Sequence, residues 1–305
     1  MSELVLSFVP YIVFFTLAWF GLSIAFLRNK KLWKFIKIVP LFVLLFGLLF
    51  FLFSRQFNNF YTGEWFEDEQ IENTEKKIGL DILYSNILYT NSDYIKLQDR
   101  ILERNPDIIF MVEFIDDHEN NLKEILKKDY PYSARTDGSQ RYFGGVVFSK
   151  HPVTNLTHAV DQWAWRYSYF YTKHDNQDYY IYLVHTSSPV TYHYFEMRNN
   201  QFNILSQDFL EHQDDRSNND KVLMLWDFNV SPWSIYYKKL DEWLVGLANI
   251  TRNFTILFTW SVKYLPFLQT HIDHVFVSDN VVVWNVEKVD TPGSDHKWFF
   301  IENIR

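Results

Sequence analysis

The chain has 305 residues with 11 Trp, 19 Tyr and 29 Phe, so a large core is available, and its lack of cysteine excludes disulfides, thiolate zinc sites and thiol nucleophiles. The net charge of -8 is unevenly spread: residues 1–54 hold five basic side chains against one acid, leaving 24 basic against 36 acidic beyond them. That acidic remainder argues against a tight, sequence-indifferent nucleic-acid binder held by phosphate neutralisation.

Residues 4–27 carry no charge, enough to cross a hydrocarbon core of roughly 30 Å at about 1.5 Å per helical residue, and residues 38–54 add 17 more. They predict a two-span transmembrane hairpin over 1–54. Arg28, Lys30, Lys31, Lys34 and Lys37 fill the connection, while Glu64, Glu67, Asp68, Glu69, Glu72 and Glu75 follow the second span. The positive-inside rule then puts the loop in the cytoplasm and both termini outside. A cleaved signal peptide fits less well, because the apolar run is too long, no basic residues precede it and no small-residue cleavage site follows. Residues 55–77 read as an acidic tether and 78–305 as a catalytic domain. In a bacterium that domain would lie outside the cytoplasm, anchored in the inner membrane.

From Ile78 the pattern changes to short apolar runs alternating with amphipathic stretches. Ile78 to Asn86 reads as a first strand, and a helix from a Ser92/Asp93 cap to about Arg104 follows, with Ile95, Ile101 and Leu102 on its buried side. Ile108 to Val112 is an apolar strand ending abruptly at Glu113. A second helix covers 117–128, Gly144 to Ser149 is a buried strand, and 157–172 with 179–184 form a hairpin around His174-Asp175-Asn176. Within it Trp163, Trp165, Tyr167 and Tyr169 give one aromatic face, read first as packing between layers and second as a base-stacking or membrane-interface surface. His185 ends the second arm of that hairpin, a long helix runs from Tyr192 to His212, and Leu223 to Trp226 leads to Asp227-Phe228-Asn229. Strands over 272–277, 281–289 and 297–301 complete the chain. One α/β domain with two sheets accounts for this order.

Strand after strand ends in a polar group: Asn86, Glu113, His185, Asp227, Asn229, Asp273 and then Asp295-His296. Each alone is an ordinary strand terminus, and Asp227 with Asn229 could simply cap a turn. Together, oxygen donors and two imidazoles without cysteine describe a site for a hard divalent cation and a phosphate ester. His271 and Asp273 fall on one face of a strand and His274 on the other, so these three do not read as a metal cluster. His151 and His193 carry no assigned role.

Ser85-Asn86, Pro106-Asp107 with Val112-Glu113, Gly145 to Ser149, His185-Thr186, Asp227-Phe228-Asn229, Ile272-Asp273-His274 and Ser294-Asp295-His296 resemble, in this order, the endonuclease/exonuclease/phosphatase superfamily that includes deoxyribonuclease I. The N-terminal apolar region resembles its membrane-anchored bacterial branch. The resemblance implies a four-layer α/β sandwich, two packed sheets flanked by helices. It implies Glu113 as principal Mg²⁺ ligand, with Asn86 and Asp295 near the metal or phosphate, and Mn²⁺ or Ca²⁺ as alternative ions. It further implies that Asp227 orients or deprotonates water, Asn229 holds the phosphate or nucleophile, Asp273 pairs with His296, and His185 serves the leaving or a non-bridging oxygen. Trp226 replaces the usual glycine, and Leu88 stands where abasic endonucleases usually carry an acid. The implied substrate is a phosphodiester, in nucleic acid or alternatively in a phospholipid or sphingolipid head group, and a catalytically silent partner-binding ectodomain is the alternative of another class.

Overall fold

The computed structural model describes residues 79–136, 144–156, 167–213, 216–251, 259–263 and 265–305, apart from the side chains of 226 and 265–268. Of the N-terminal region it describes residues 12, 16, 17 and 19, all helical. The expected spans over 4–27 and 38–54, the tether, Trp163 and Trp165 otherwise lie outside the described residues, as does the Trp226 ring. Among the described residues no helix is long and apolar enough to cross a membrane.

Two βαβ units set the architecture. In the first, β1 (Leu80–Asn86) runs through α1 (Tyr94–Arg104) to a parallel neighbour, β2 (Ile108–Val112). In the second, β7 (Gln177–His185) runs through α3 (Tyr192–Glu211) to the parallel β8 (Lys221–Asp227). Between them come α2, which starts as Asp116–His118, passes through a π-helical turn at Glu119–Lys123 and ends as Glu124–Leu126, and then β3 (Tyr132–Arg135), β4 (Gly145–Ser149), β5 (Val153–Asn155) and β6 (Tyr167–His174). After β8 follow α4 (Ile235–Trp243), β9 (Leu247–Asn249), β10 (Trp260–Val262), β11 (Leu265–Thr270), β12 (Asp273–Ser278), β13 (Asn285–Asp290) and β14 (Lys297–Ile304).

One six-stranded sheet has the order β13-β14-β1-β2-β4-β3 and the other β5-β6-β7-β8-β12-β9, with β10-β11 as a separate ribbon. Only the β1/β2 and β7/β8 pairs among these neighbours are parallel. The period-two pattern distributes side chains to two faces. Ile82 and Tyr84 of β1 meet Leu223 and Leu225 of β8 in a core between the sheets, whereas Leu83 packs with Leu97 and Ile101 of α1. Met224 packs with Phe202 and Leu205 of α3 on the opposite outer face. The two mixed sheets and their outer helices are the layers expected from the sequence.

Several local expectations are corrected. On α1 the buried residues are Leu97 and Ile101, while Ile95 is 71% exposed and Leu102 also faces solvent. The helix turns Tyr94, Leu97 and Ile101 inward, at the i, i+3, i+7 spacing, and Ile95 lies two residues, or about 200°, from Leu97. The strand expected over 281–289 is Asn285–Asp290, and the last one runs on to Ile304. Tyr167 and Tyr169 are buried against Tyr182 and α3, so this part of the aromatic face is core.

Candidate active site

The carboxyl ends of both parallel strand pairs open on the same cleft, where crossover connections leave strand ends uncovered. Asn86 ends β1, Glu113 follows β2, His185 ends β7 and Asp227 ends β8, in register with His185 on one side and Asp273 on the other. The turn before β14 adds Asp295 and His296. Gly293 shapes that turn at φ 76°, where a Cβ would come within 2.0 Å of Asn91 Oδ1.

Asp227 is the hub. Its Oδ2 accepts from Asn86 Nδ2 at 3.0 Å and stands 3.6 Å from His296 Nε2 and 3.7 Å from His185 Nε2. Its Oδ1 accepts the Asn229 backbone N–H at 3.0 Å. Asn86 Nδ2 donates also to Glu113 Oε1 at 2.8 Å, and the Tyr89 N–H donates to Glu113 Oε2 at 2.9 Å. His185 Nε2 lies 3.7 Å from Glu113 Oε1. Asp273 meets His296 Nδ1 with both oxygens, at 3.0 and 3.2 Å. Trp260 Nε1 donates to Asp295 Oδ2 at 2.9 Å, and Asp295 Oδ1 is buried without a hydrogen-bond partner.

The structure therefore brings seven of the eight anticipated residues into direct or one-partner contact, with Asp295 beside them on the His296 turn. Two placements refine the sequence reading. Carboxylates only accept, so Asn86 must turn its NH₂ toward Glu113 and Asp227, while its Oδ1 accepts the Leu88 N–H at 3.0 Å. Asn86 thus couples two acids. Asn229 directs Nδ2 to the Thr186 carbonyl at 3.0 Å, tying the β7 and β8 ends together. Backbone conformation marks the same places: Glu113 (φ 59°) and Asn229 (φ 49°) are left-handed non-glycine residues, a conformation that costs of order 1–3 kcal/mol and clusters at functional sites.

Charge crowding follows from burial. Desolvation pushes the Asp227 carboxyl up to about 7, with the neighbouring Asp273 charge adding to it and His296 and the Asn86 and Asn229 donors opposing. Burial also raises Glu113, against the donors from Asn86 and Tyr89. Burial pulls His296 down, but Asp273 and Asp227 outweigh it and raise the imidazole to about 10. His296 is thus an imidazolium at neutral pH, a fixed cation facing an acidic cleft.

Ligand atoms of Asp227, Asp273 and His296 lie within 4.8 Å of one another. His296, as an imidazolium, has no lone pair to offer an ion, so the oxygens carry the fit: the unpartnered Asp295 oxygen and the mostly buried Glu113 carboxylate, beside Asp227, are donors suited to a hard divalent cation. Sequence reasoning missed the residues that hold these groups. Arg198 is buried among Phe195, Phe202 and Tyr236 and donates from Nη1 to the Asn229 carbonyl at 3.0 Å. Ser294 Oγ donates to the Asn86 carbonyl at 2.9 Å and accepts the His296 N–H. Thr259 Oγ1 accepts the Ile272 and Asp273 N–H groups. Arg198 and Gln201, polar at i and i+3 on the inner face of α3, were the one legible signal. His271 stacks on His274 at 4.5 Å rather than beside Asp273, because the extended ladder begins only at Asp273.

Sheets, cleft and donor set define a class, and the sequence places the chain in it. The Endonuclease/Exonuclease/phosphatase family model matches residues 83–296, more than two thirds of the chain, and the chain belongs to that family. No curated relative matches this sequence. Solved structures share the fold at low identity. Humanized D. rerio TDP2 is 16% identical with a TM-score of 0.55, covering 74% of this chain and 98% of its own. A beta toxin mutant from Staphylococcus aureus with bound magnesium ions is 17% identical with a TM-score of 0.56, covering 74% and 99%. An endonuclease/exonuclease/phosphatase from Beutenbergia cavernae is 18% identical with a TM-score of 0.56, covering 74% and 71%.

Proposed function

We propose that the chain is a Mg²⁺-dependent phosphodiesterase acting on nucleic acid. The observation that carries this reading is the convergence of Glu113, Asp227, Asp273, His185 and His296 on one cleft, with Asp227 in contact with both imidazoles. Phosphoryl transfer needs charge stabilisation and alignment, and no covalent nucleophile. Glu113 and Asp295 would hold the cation, with Asn86 setting Glu113 in place. A bound divalent ion neutralises charge on the phosphate. Asp227, held by Asn86 and the Asn229 N–H, orients and deprotonates the attacking water. His296, kept cationic by Asp273, faces the developing charge, and His185 serves the leaving oxygen. D. rerio TDP2, with the same fold, has been solved with a single-strand DNA product, which favours this substrate class.

A second reading, a lipid head-group phosphodiester, is favoured by exposed apolar residues leaving the site: Val190, Tyr192 and Tyr194 after β7, and Ile235 after β8. The apolar stretches of residues 4–27 and 38–54 support anchoring in a bacterial inner membrane with the domain, residues 78–305, outside the cytoplasm.

Full-length protein in detergent is assayed on single-stranded and plasmid DNA, a generic phosphodiester and phospholipid vesicles, each with Mg²⁺ or chelator. Turnover of DNA with metal, lost in Asp227→Ala and His296→Ala, is expected. Turnover of vesicles alone selects the lipid reading, and no metal-dependent turnover of any substrate rejects the enzyme. A reporter at the C-terminus should be active only outside the cytoplasm, and cytoplasmic activity rejects the topology.

A further inference from the structure

Trp260 opens the short ribbon strand β10 and is half-buried, outside the eight residues anticipated from sequence. Its neighbours stitch together the two sheets that supply the cleft. Thr259 Oγ1 accepts the Asp273 N–H at 3.1 Å, on the side of β12. The Lys297 N–H donates to the Thr259 carbonyl at 2.7 Å, the Ser261 N–H donates to the Asp295 carbonyl at 3.0 Å, and Trp260 bridges His296, all on the side of β14. In the middle of this stitch the indole N–H meets Asp295 Oδ2 at 2.9 Å. The other oxygen of that carboxylate is buried with no partner, an arrangement that is costly unless something takes its place.

We propose that Trp260 is a positioning residue that divides the two oxygens of Asp295, fixing Oδ2 and presenting Oδ1 as a single cation ligand. The inference rests on reading the cluster as a divalent-cation site. An unrestrained carboxylate rotates and can chelate through either or both oxygens. An indole N–H is a donor only, so it can orient the group without competing for the ion. Partners of this kind hold ligands in place, and their loss typically weakens metal affinity by about 10–100-fold.

The test uses full-length protein in detergent and reads Mg²⁺ binding directly, by titration calorimetry and by the Mg²⁺-dependent rise in melting temperature, alongside steady-state kinetics. Trp260→Phe, which keeps a ring and loses the N–H, should weaken Mg²⁺ binding by roughly 10-fold or more, with kcat at saturating Mg²⁺ much less affected. Trp260→His, which keeps a ring donor, should recover part of that affinity, and Trp260→Phe in an Asp295→Ala background should cost nothing further. If Trp260→Phe does not fold, Trp260→Leu takes its place. Mg²⁺ affinity within twofold of wild type in a folded variant lacking the indole overturns the proposal. Asp295→Ala and Glu113→Gln separate the two layers. If both bind Mg²⁺ like wild type, the cation site itself is misread. If they lose it while Trp260→Phe binds normally, only the role of Trp260 fails.

Discussion

Asp273 and His296 show how much at this site depends on single atoms. Asp273 is fully buried and gives both oxygens to His296 Nδ1, which fixes the ring orientation and leaves Nε2 directed at Asp227. Asp273→Asn keeps the volume but replaces one acceptor by a donor and removes the charge that holds the imidazole protonated. Turnover should fall on the order of 10²–10⁴-fold while the far-ultraviolet spectrum is unchanged. Steady-state rates on the best substrate check this, and a loss below threefold would show that His296 does not need its partner. Asn86, Glu113, His185, Asp227 and Asn229 were legible in the sequence because they fall at the ends of apolar runs, whereas Asp273 opens β12 and Asp295 and His296 precede β14, so those three were legible from their motifs. Thr259 and Trp260 were not, and Arg198 showed only as a polar residue on the inner face of α3. Their importance lies in what they touch, and those contacts join segments far apart in the chain.

Helices α1 and α2 make the corresponding case for elements. The sequence puts Ile95, Ile101 and Leu102 on the buried side, and of these the folded helix buries Ile101, with Leu97 beside it, against β1 and β2. Leu97→Ala should cost about 2–5 kcal/mol in a denaturant titration, and Ile95→Glu should stay within roughly 0.5 kcal/mol of wild type. Equal effects of the two would restore the other helix face. The strands were easier to read, since continuous apolar runs such as Ile108–Val112 fit few alternatives, but residues 230–270 hold α4 and three short strands whose bounds depend on tertiary partners. At α2, His118 is buried, accepts the Ile115 N–H on Nδ1 and faces the Asn91 carbonyl with Nε2. Burial lowers its pKa below the ordinary 6.5, with the Asn91 carbonyl opposing. Below pH 6.5 the unfolded chain takes up a proton that the folded one refuses, so stability falls as pH falls from 6.5 toward the folded-state pKa. His118→Gln should therefore be less stable than wild type at pH 7.5, and the gap should narrow by pH 5. Parallel melting curves across that range would show that His118 titrates alike in both states.

At the scale of the whole molecule, the site exists only because two sheets face each other. Asn86, Glu113, Asp295 and His296 come from one sheet and its connections, and His185, Asp227 and Asp273 from the other. No sequence feature measures this pairing, although the order of apolar and polar runs makes the two βαβ units readable. Burial of the acids costs desolvation energy in both sheets, as the elevated Asp227 and Glu113 carboxyls show, with Asp273 adding to the first and Asp295 to the second. A cation held by Glu113 and Asp295 would bind the folded state alone, because only folding brings the end of β2 and the turn before β14 together. At 100 times its dissociation constant such a ligand adds about 2.7 kcal/mol. In a domain of this size that corresponds to a rise in melting temperature of roughly 5–10 °C. Mg²⁺ should produce that rise and chelator should reverse it. Asp227→Asn, which removes the desolvated buried charge, should melt at or above wild type at pH 8 without metal and gain less from Mg²⁺. A Mg²⁺ shift that Glu113→Gln and Asp227→Asn leave intact would place the ion away from this cleft.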